Sequence, residues 1–172
     1  MFQGDSWVFY SNADMNLDDE ILSLANHNDG SVWVGSFTGI SRYRDGNWTL
    51  MASEKDLGAR SYRSLTVDSD GTVWTGSTFG LLSCRDGEWS TYRVDGPASW
   101  DIKAVTKDHD GDIWCATYSG VSRYDGFGWI SYTMADGLPY NRICDVDIDG
   151  RGNIWVGSDG GVSMFDLSLI HI

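Results

Sequence analysis

Proline is scarce in this chain, 2 of 172 residues, and cysteine and histidine number only 3 each. So few prolines leave almost the whole backbone free to enter hydrogen-bonded ladders. Cys84, Cys115 and Cys144 are an odd set without paired ligand spacing, which excludes a disulfide framework and a zinc site and reads as three small buried hydrophobes. His27 and His109 fall in turns and His171 in the last residues, so no histidine-centred catalytic set is legible. Positive charge is also short. Twelve Lys and Arg against 25 Asp and Glu give a net charge of −13, and such a polyanion gains nothing from releasing counterions on phosphates, so nucleic acid is excluded as a partner. No run approaches the roughly 18 apolar residues of a membrane span, so this segment is not expected to insert into a bilayer. The opening Met1-Phe2-Gln3-Gly4-Asp5 has neither a basic nor an apolar signal region. No helical periodicity is found.

What remains is aromatic and glycine-rich: 41% hydrophobic residues, 13% aromatics, 21 Gly and 9 Trp, enough apolar content for a packed core in one domain. The tryptophans are periodic. Trp33, Trp74, Trp114 and Trp155 lie 41, 40 and 41 residues apart, and Trp7, Trp48, Trp89 and Trp129 lie 41, 41 and 40 apart. Within a unit the two series are offset by 15 residues, at 33 to 48, 74 to 89 and 114 to 129. Only Trp100 stands outside both.

Each unit carries four strand patterns, here called a to d. Val32-Trp33-Val34 marks b, Gly39-Ile40-Ser41-Arg42-Tyr43 marks c, and Trp48-Thr49-Leu50 marks d. Strand a precedes them: Ile21–Ala25, Arg63–Val67, Ile102–Thr106 and Ile143–Asp147. Asp29-Gly30, Asp70-Gly71 and Asp110-Gly111 turn from a to b, and Asp45-Gly46 and Asp86-Gly87 turn from c to d.

Four short antiparallel strands per unit of about 40 residues predict an all-β fold, a β-propeller of four-stranded blades. The units run over 21–51, 62–93 and 102–133, with 143–166 as the last. Trp7-Val8-Phe9-Tyr10 is a lone strand d and the last unit lacks one, so pairing 1–10 with strand c near Met164-Phe165 would close a ring of about four blades. If the repeat continues beyond the chain, the same units are an arc of a larger ring. Residues 167–172, Leu-Ser-Leu-Ile-His-Ile, break the pattern and resemble an in-frame translation of a transposon end, so they are read as a non-native tail of a fragment.

The string Tyr132-Thr133-Met134-Ala135-Asp136-Gly137-Leu138-Pro139-Tyr140-Asn141, followed by Asp149-Gly150-Arg151-Gly152-Asn153-Ile154-Trp155-Val156-Gly157, resembles the two-component regulator propeller repeat. The resemblance covers nearly all of residues 6–166. Asn16-Leu17-Asp18, Asp56-Leu57-Gly58 and Asp95-Gly96-Pro97 depart from Gly-Leu-Pro at the equivalent place. The family implies a periplasmic or extracellular sensor region of bacterial hybrid histidine kinases and related regulators. It also implies a carbohydrate-like ligand and a kinase or output domain elsewhere in the full-length protein. No kinase motif occurs here, so this chain is expected to be at most the recognition part.

In an up-and-down meander the b–c and d–a connections share one end, and these vary between units. Phe37, Phe79, Tyr118 and Asp159 lie in b–c turns, and Trp100, Tyr140, Asn141 and Arg142 in d–a connections. Rings with polar tips beside Arg, Asn and Asp suit a small polar or glycan ligand. The same rings read equally as caps on the core between blades. Asp145 and Asp147, two apart on strand a, replace small residues and are read as lining the central channel, either as a cation or hydroxyl site or as a solvated wall. Asp68-Ser69-Asp70-Gly71 and Asp108-His109-Asp110-Gly111 lack the closing Glu of a calcium loop and are turns. No cofactor, metal site or catalytic residue is expected, and the chain is not read as an enzyme. The alternatives are a protein-interaction scaffold and, less favoured, a propeller lyase.

Overall fold

The computed structural model describes residues 7–17, 19–92 and 98–165. The first unit is β1 (Ile21–Asn26), β2 (Val32–Ser36), β3 (Gly39–Arg44) and β4 (Asn47–Ser53). The second is β5 (Ser64–Val67), β6 (Val73–Ser77), β7 (Gly80–Arg85) and β8 (Glu88–Tyr92). The third is β9 (Ile102–Lys107), β10 (Ile113–Thr117), β11 (Gly120–Tyr124) and β12 (Trp129–Tyr132), and the last is β13 (Ile143–Ile148), β14 (Ile154–Ser158) and β15 (Gly161–Phe165). Each unit is one antiparallel sheet in chain order, with three sheets of four strands and a final one of three. The predicted tight turns hold: Asp45 and Gly46, like Asp86 and Gly87, all have positive φ, the geometry whose twist matches a two-residue hairpin.

The core lies between sheets rather than within them. Trp33 and Ile40 of the first blade pack on Tyr62, Leu65, Val73 and Leu82 of the second. Trp74 and Leu81 of the second pack on Ile102, Val105 and Ile113 of the third. Trp114 and Val121 of the third pack on Ile143, Val146, Ile154 and Val156 of the fourth. Alternation along each strand thus serves two neighbours, one per face. Small residues in the b strands let the next a strand approach, so that Ser23 Oγ donates to the Tyr62 carbonyl at 2.7 Å and Ser64 Oγ receives the Val105 amide at 3.0 Å.

Closure of a four-blade ring is not found. Trp7–Tyr10 is not a strand, and among the described residues β15 pairs only with β14. The segment stays with the first blade instead: the Tyr10 ring lies 5.2 Å from Tyr43 and 5.6 Å from Trp48, and the Tyr10 and Tyr43 hydroxyls are 2.9 Å apart. Tyr92 on Tyr124 at 5.0 Å and Tyr132 on Phe165 at 5.0 Å make the same contact, so Tyr10 occupies the outer-strand place of a preceding blade. Closure depends on the angle between blades, which side-chain volume at the junctions sets and repeat spacing does not encode. On the fourth blade Trp155 is 41% exposed where Trp33, Trp74 and Trp114 are 3%, 9% and 1%.

Two of the drifted connections share one device with the intact one. Asp14, Asp56 and Asp136 accept the backbone N–H of Ser11, Ser53 and Thr133 three residues earlier, at 2.7, 2.8 and 2.9 Å. Loss of the Gly-Leu-Pro string therefore leaves two of the departing loops, Ser11–Leu17 and Ser53–Gly58, closed by the same carboxylate. Asp95-Gly96-Pro97 and the tail 167–172 lie outside the described residues.

Candidate functional site

The four b–c turns are built alike. The last residue of each b strand, Ser36, Ser77, Thr117 or Ser158, donates its hydroxyl to the carbonyl of Gly39, Gly80, Gly120 or Gly161, at 2.8–3.1 Å. This bond fixes the turn and pushes its tip outward, leaving Phe37, Phe79 and Tyr118 40%, 48% and 43% exposed at one end of the blades.

Tyr118 is the residue around which charge collects. Lys103 Nζ stands 4.0 Å from the centre of its ring and the Arg142 guanidinium carbon 4.7 Å, two cations on one aromatic group. Arg142 donates to Asp159 at 3.0 Å, Lys103 donates to Asp101 at 2.5 Å, and Arg63 lies 3.6 Å from the same Asp101. A continuous row, Arg63–Asp101–Lys103–Tyr118–Arg142–Asp159, thus crosses three blades with one excess positive charge in a chain of −13. The hydrogen bond from Arg142, then the charge of Lys103, favour the phenolate and hold the Tyr118 hydroxyl below the usual tyrosine range. Cys144 Sγ reaches Asp159 at 3.6 Å.

Of the residues expected from sequence, Tyr118, Arg142 and Asp159 are brought into direct contact. Trp100 lies over Gly80, where an added Cβ would be 3.3 Å from its ring, and flanks the turn that carries Phe79. Tyr140 covers Gly160 so closely that a Cβ there would fall 1.7 Å from its ring, so a larger residue would have to turn this half-exposed ring aside. Asn141 Oδ1 accepts the Met134 amide at 2.7 Å across its loop. Phe37 stands on the first blade, its carbonyl accepting the Ser61 amide at 2.7 Å.

Asp145 and Asp147 both lie exposed on β13. Ser23 and Ser64, which hold the place of Asp145 in the first two units, bond the next blade. Asp145 Oδ1 accepts the Val146 amide at 3.0 Å, and Asp147 Oδ1 the Ile148 amide at 2.8 Å and the Thr106 hydroxyl at 3.5 Å. Among the described residues, no group of three or more His, Cys, Asp or Glu is placed to hold a metal ion.

Lys103, Asp101 and Arg63 escaped the sequence reading. In β1, β9 and β13 the ladder skips the second residue, pairing Ile102 and Ala104 but not Lys103, and Ile143 and Asp145 but not Cys144. Such a bulge re-aims a side chain toward the end of the sheet. The signal was available in the broken alternation Ile102-Lys103-Ala104-Val105.

No protein-family model matches the chain, and no curated protein does. Solved structures do. The extracellular domain of the hybrid two-component system BT3049 from B. thetaiotaomicron superposes with a TM-score of 0.81 over 95% of this chain at 23% identity. The fold is that of a β-propeller. The extracellular domain of the one-component system BT4673 from the same organism gives 0.74 over 91% at 22% identity. Virginiamycin B lyase from Staphylococcus aureus gives 0.67 over 89% at 20% identity and is covered over 57% of its length. The chain spans about a quarter of the two extracellular domains, 24% and 23%. At these identities the likeness concerns the fold.

Proposed function

We propose that this propeller is the non-catalytic ligand-recognition module of a bacterial two-component or related signalling protein, placed outside the cytoplasm. Its ligand, carbohydrate-like or another small polar molecule, binds at the b–c and d–a loop end, and a kinase or output domain elsewhere in the full-length protein reads the binding. The observation that carries this reading is Tyr118 held between Lys103 and Arg142 beside Asp101 and Asp159: a flat ring with donors and acceptors on both sides, on turns made rigid by hydroxyl bonds. That combination offers stacking and directed hydrogen bonds without reorganisation. The likeness to two extracellular sensor-system domains supports the placement. A lyase reading finds less support. His27 and His109 both stand at the opposite end, where His27 bonds the Gly71 carbonyl at 2.8 Å and His109 lies against Gly152. Among the described residues, no helix is long and apolar enough to cross a membrane.

Glycan-array and calorimetric screening of the chain, repeated with Tyr118→Ala and Arg142→Ala, tests the proposal. Specific binding weakened at least tenfold by either substitution supports it; binding that neither substitution changes, or enrichment of protein partners alone, overturns it.

A further inference from the structure

The opposite end of the blades holds a second cleft, of about 280 Å³, between the first and second blades, lined among others by His27, Trp33, Arg42, Arg44 and Arg85. Its chemistry is legible because the third blade solves the same local problem differently. There Arg123 sits directly across the ladder from Trp114, donates through Nε to Asp112 at 2.5 Å, and Trp114 Nε1 donates to Asp108 at 2.8 Å. Arg42 sits across from Trp33 in the same register. The positions of Asp108 and Asp112 are here His27 and Ser31. Among the described residues both donors are left without an acceptor: Arg42 Nε and Trp33 Nε1 are buried and unpartnered. Trp74 Nε1 shares the loss, since Asp68 faces Lys107, but its cross-strand partner is Ser83 and no guanidinium is stranded there.

The two neighbouring arginines are already neutralised, Arg44 by Asp29 at 2.9 Å and Arg85 by Asp70 at 2.7 Å. His27 Nδ1 lies 2.8 Å from Asp29, the Cys84 thiol lies beside the guanidinium, and Asp86 lines the cleft as an opposing charge. Among the described residues Arg42 therefore remains a cation without a carboxylate, 5.8 Å from the Trp33 ring, at the wall of a space large enough for a small molecule. An unpaired donor in a partly dry site is costly, and a charge-assisted bond to an anion relieves the cost.

We propose that this cleft binds a carboxylate-bearing small molecule, with the Arg42 guanidinium in the role of donor that Arg123 plays toward Asp112. The site is independent of the Tyr118 row at the other end. The acceptor is supplied by the ligand in the first blade and by the protein in the third.

The repeat supplies its own test. Ser31→Asp places in the first blade the carboxylate that Asp112 places in the third, two residues after Asp29 as Asp112 follows Asp110. The probe is sodium acetate titrated at constant ionic strength against sodium chloride, read by the amide, indole and arginine Nε–H resonances. For the unchanged chain we expect saturable shifts at Arg42 and Trp33 with a Kd of the order of 10 mM, as one charged contact to a four-atom ligand allows. Ser31→Asp should weaken acetate binding at least tenfold and raise the thermal midpoint. Arg42→Met, which keeps the aliphatic stem, should abolish the acetate response and covers the case in which Ser31→Asp fails to fold. Acetate shifts that survive Arg42→Met, shifts reproduced by chloride, or a folded Ser31→Asp chain that binds acetate as before would each overturn the proposal.

Discussion

Replacing Gly76 by alanine drives a methyl group into the third blade. An ideal Cβ at this position lies 2.4 Å from Ile102 Cγ2 and 3.0 Å from Ile102 Cβ, and Ile102 is fully buried. Carbon atoms rest about 3.5–4.0 Å apart, so β6 and β9 must separate by roughly 1 Å or Ile102 must leave its rotamer. Overpacking of this kind costs about 1–3 kcal/mol. Alanine restricts the unfolded chain more than glycine and returns about 0.4–1 kcal/mol, which leaves a net loss of up to about 2.6 kcal/mol. At roughly 2–4 °C per kcal/mol for a chain of this size, the Tm should fall by up to about 10 °C. Gly157 is the control. It holds the same place in the fourth blade, yet a Cβ there meets only Asp145 Cβ at 3.7 Å, an ordinary contact. Gly157→Ala should therefore be neutral or stabilising by up to about 1 kcal/mol. Urea titrations of both variants with unchanged m-values decide the matter. If Gly76→Ala were as stable as Gly157→Ala, close approach of successive blades would not be what small residues at this position secure.

Three further outcomes are expected. Asp108→Ala removes the acceptor of Trp114 Nε1 and of the Asp110 and Asp112 amides, at 2.8, 3.0 and 2.9 Å, and should destabilise the chain by about 2–4 kcal/mol in urea titration, with much less loss for Asp108→Asn. Tyr118 should ionise below an ordinary tyrosine in an ultraviolet difference titration, and Arg142→Ala should move it back up; an unchanged midpoint would refute the contact. Asp149 is held below the ordinary carboxylate range by Trp155 Nε1, then Asn153, so its folded form resists protonation more than its unfolded form. Its stabilisation should be complete above about pH 4 and drain away as pH falls through the lower folded value, and Asp149→Asn should flatten that part of the acid-unfolding curve.

The blades were legible because their determinants are local. Asp-Gly turns, the Trp-led outer strands and the alternating b and c strands act within about ten residues, and the repeat displays each of them several times. Tyr118, Arg142 and Asp159 could be assigned to one end because an up-and-down meander leaves no other place for b–c and d–a connections. Their meeting could not be assigned. It depends on Lys103, which a bulge in β9 turns toward the loop end, and on the spacing of the third and fourth blades. The bond from the Met134 amide to Asn141 Oδ1, seven residues apart across its loop, was likewise not legible in the sequence.

The sequence by itself determined the number, order and turns of the hairpins, because residues a few positions apart set backbone dihedrals and side-chain alternation. Only the tertiary structure decided that Trp7–Tyr10 stays with the first blade, and that among the described residues Arg42 lacks the carboxylate its counterpart Arg123 has. Those outcomes arise from contacts between blades about 40 residues apart, where volume and charge in one repeat meet whatever the next repeat presents.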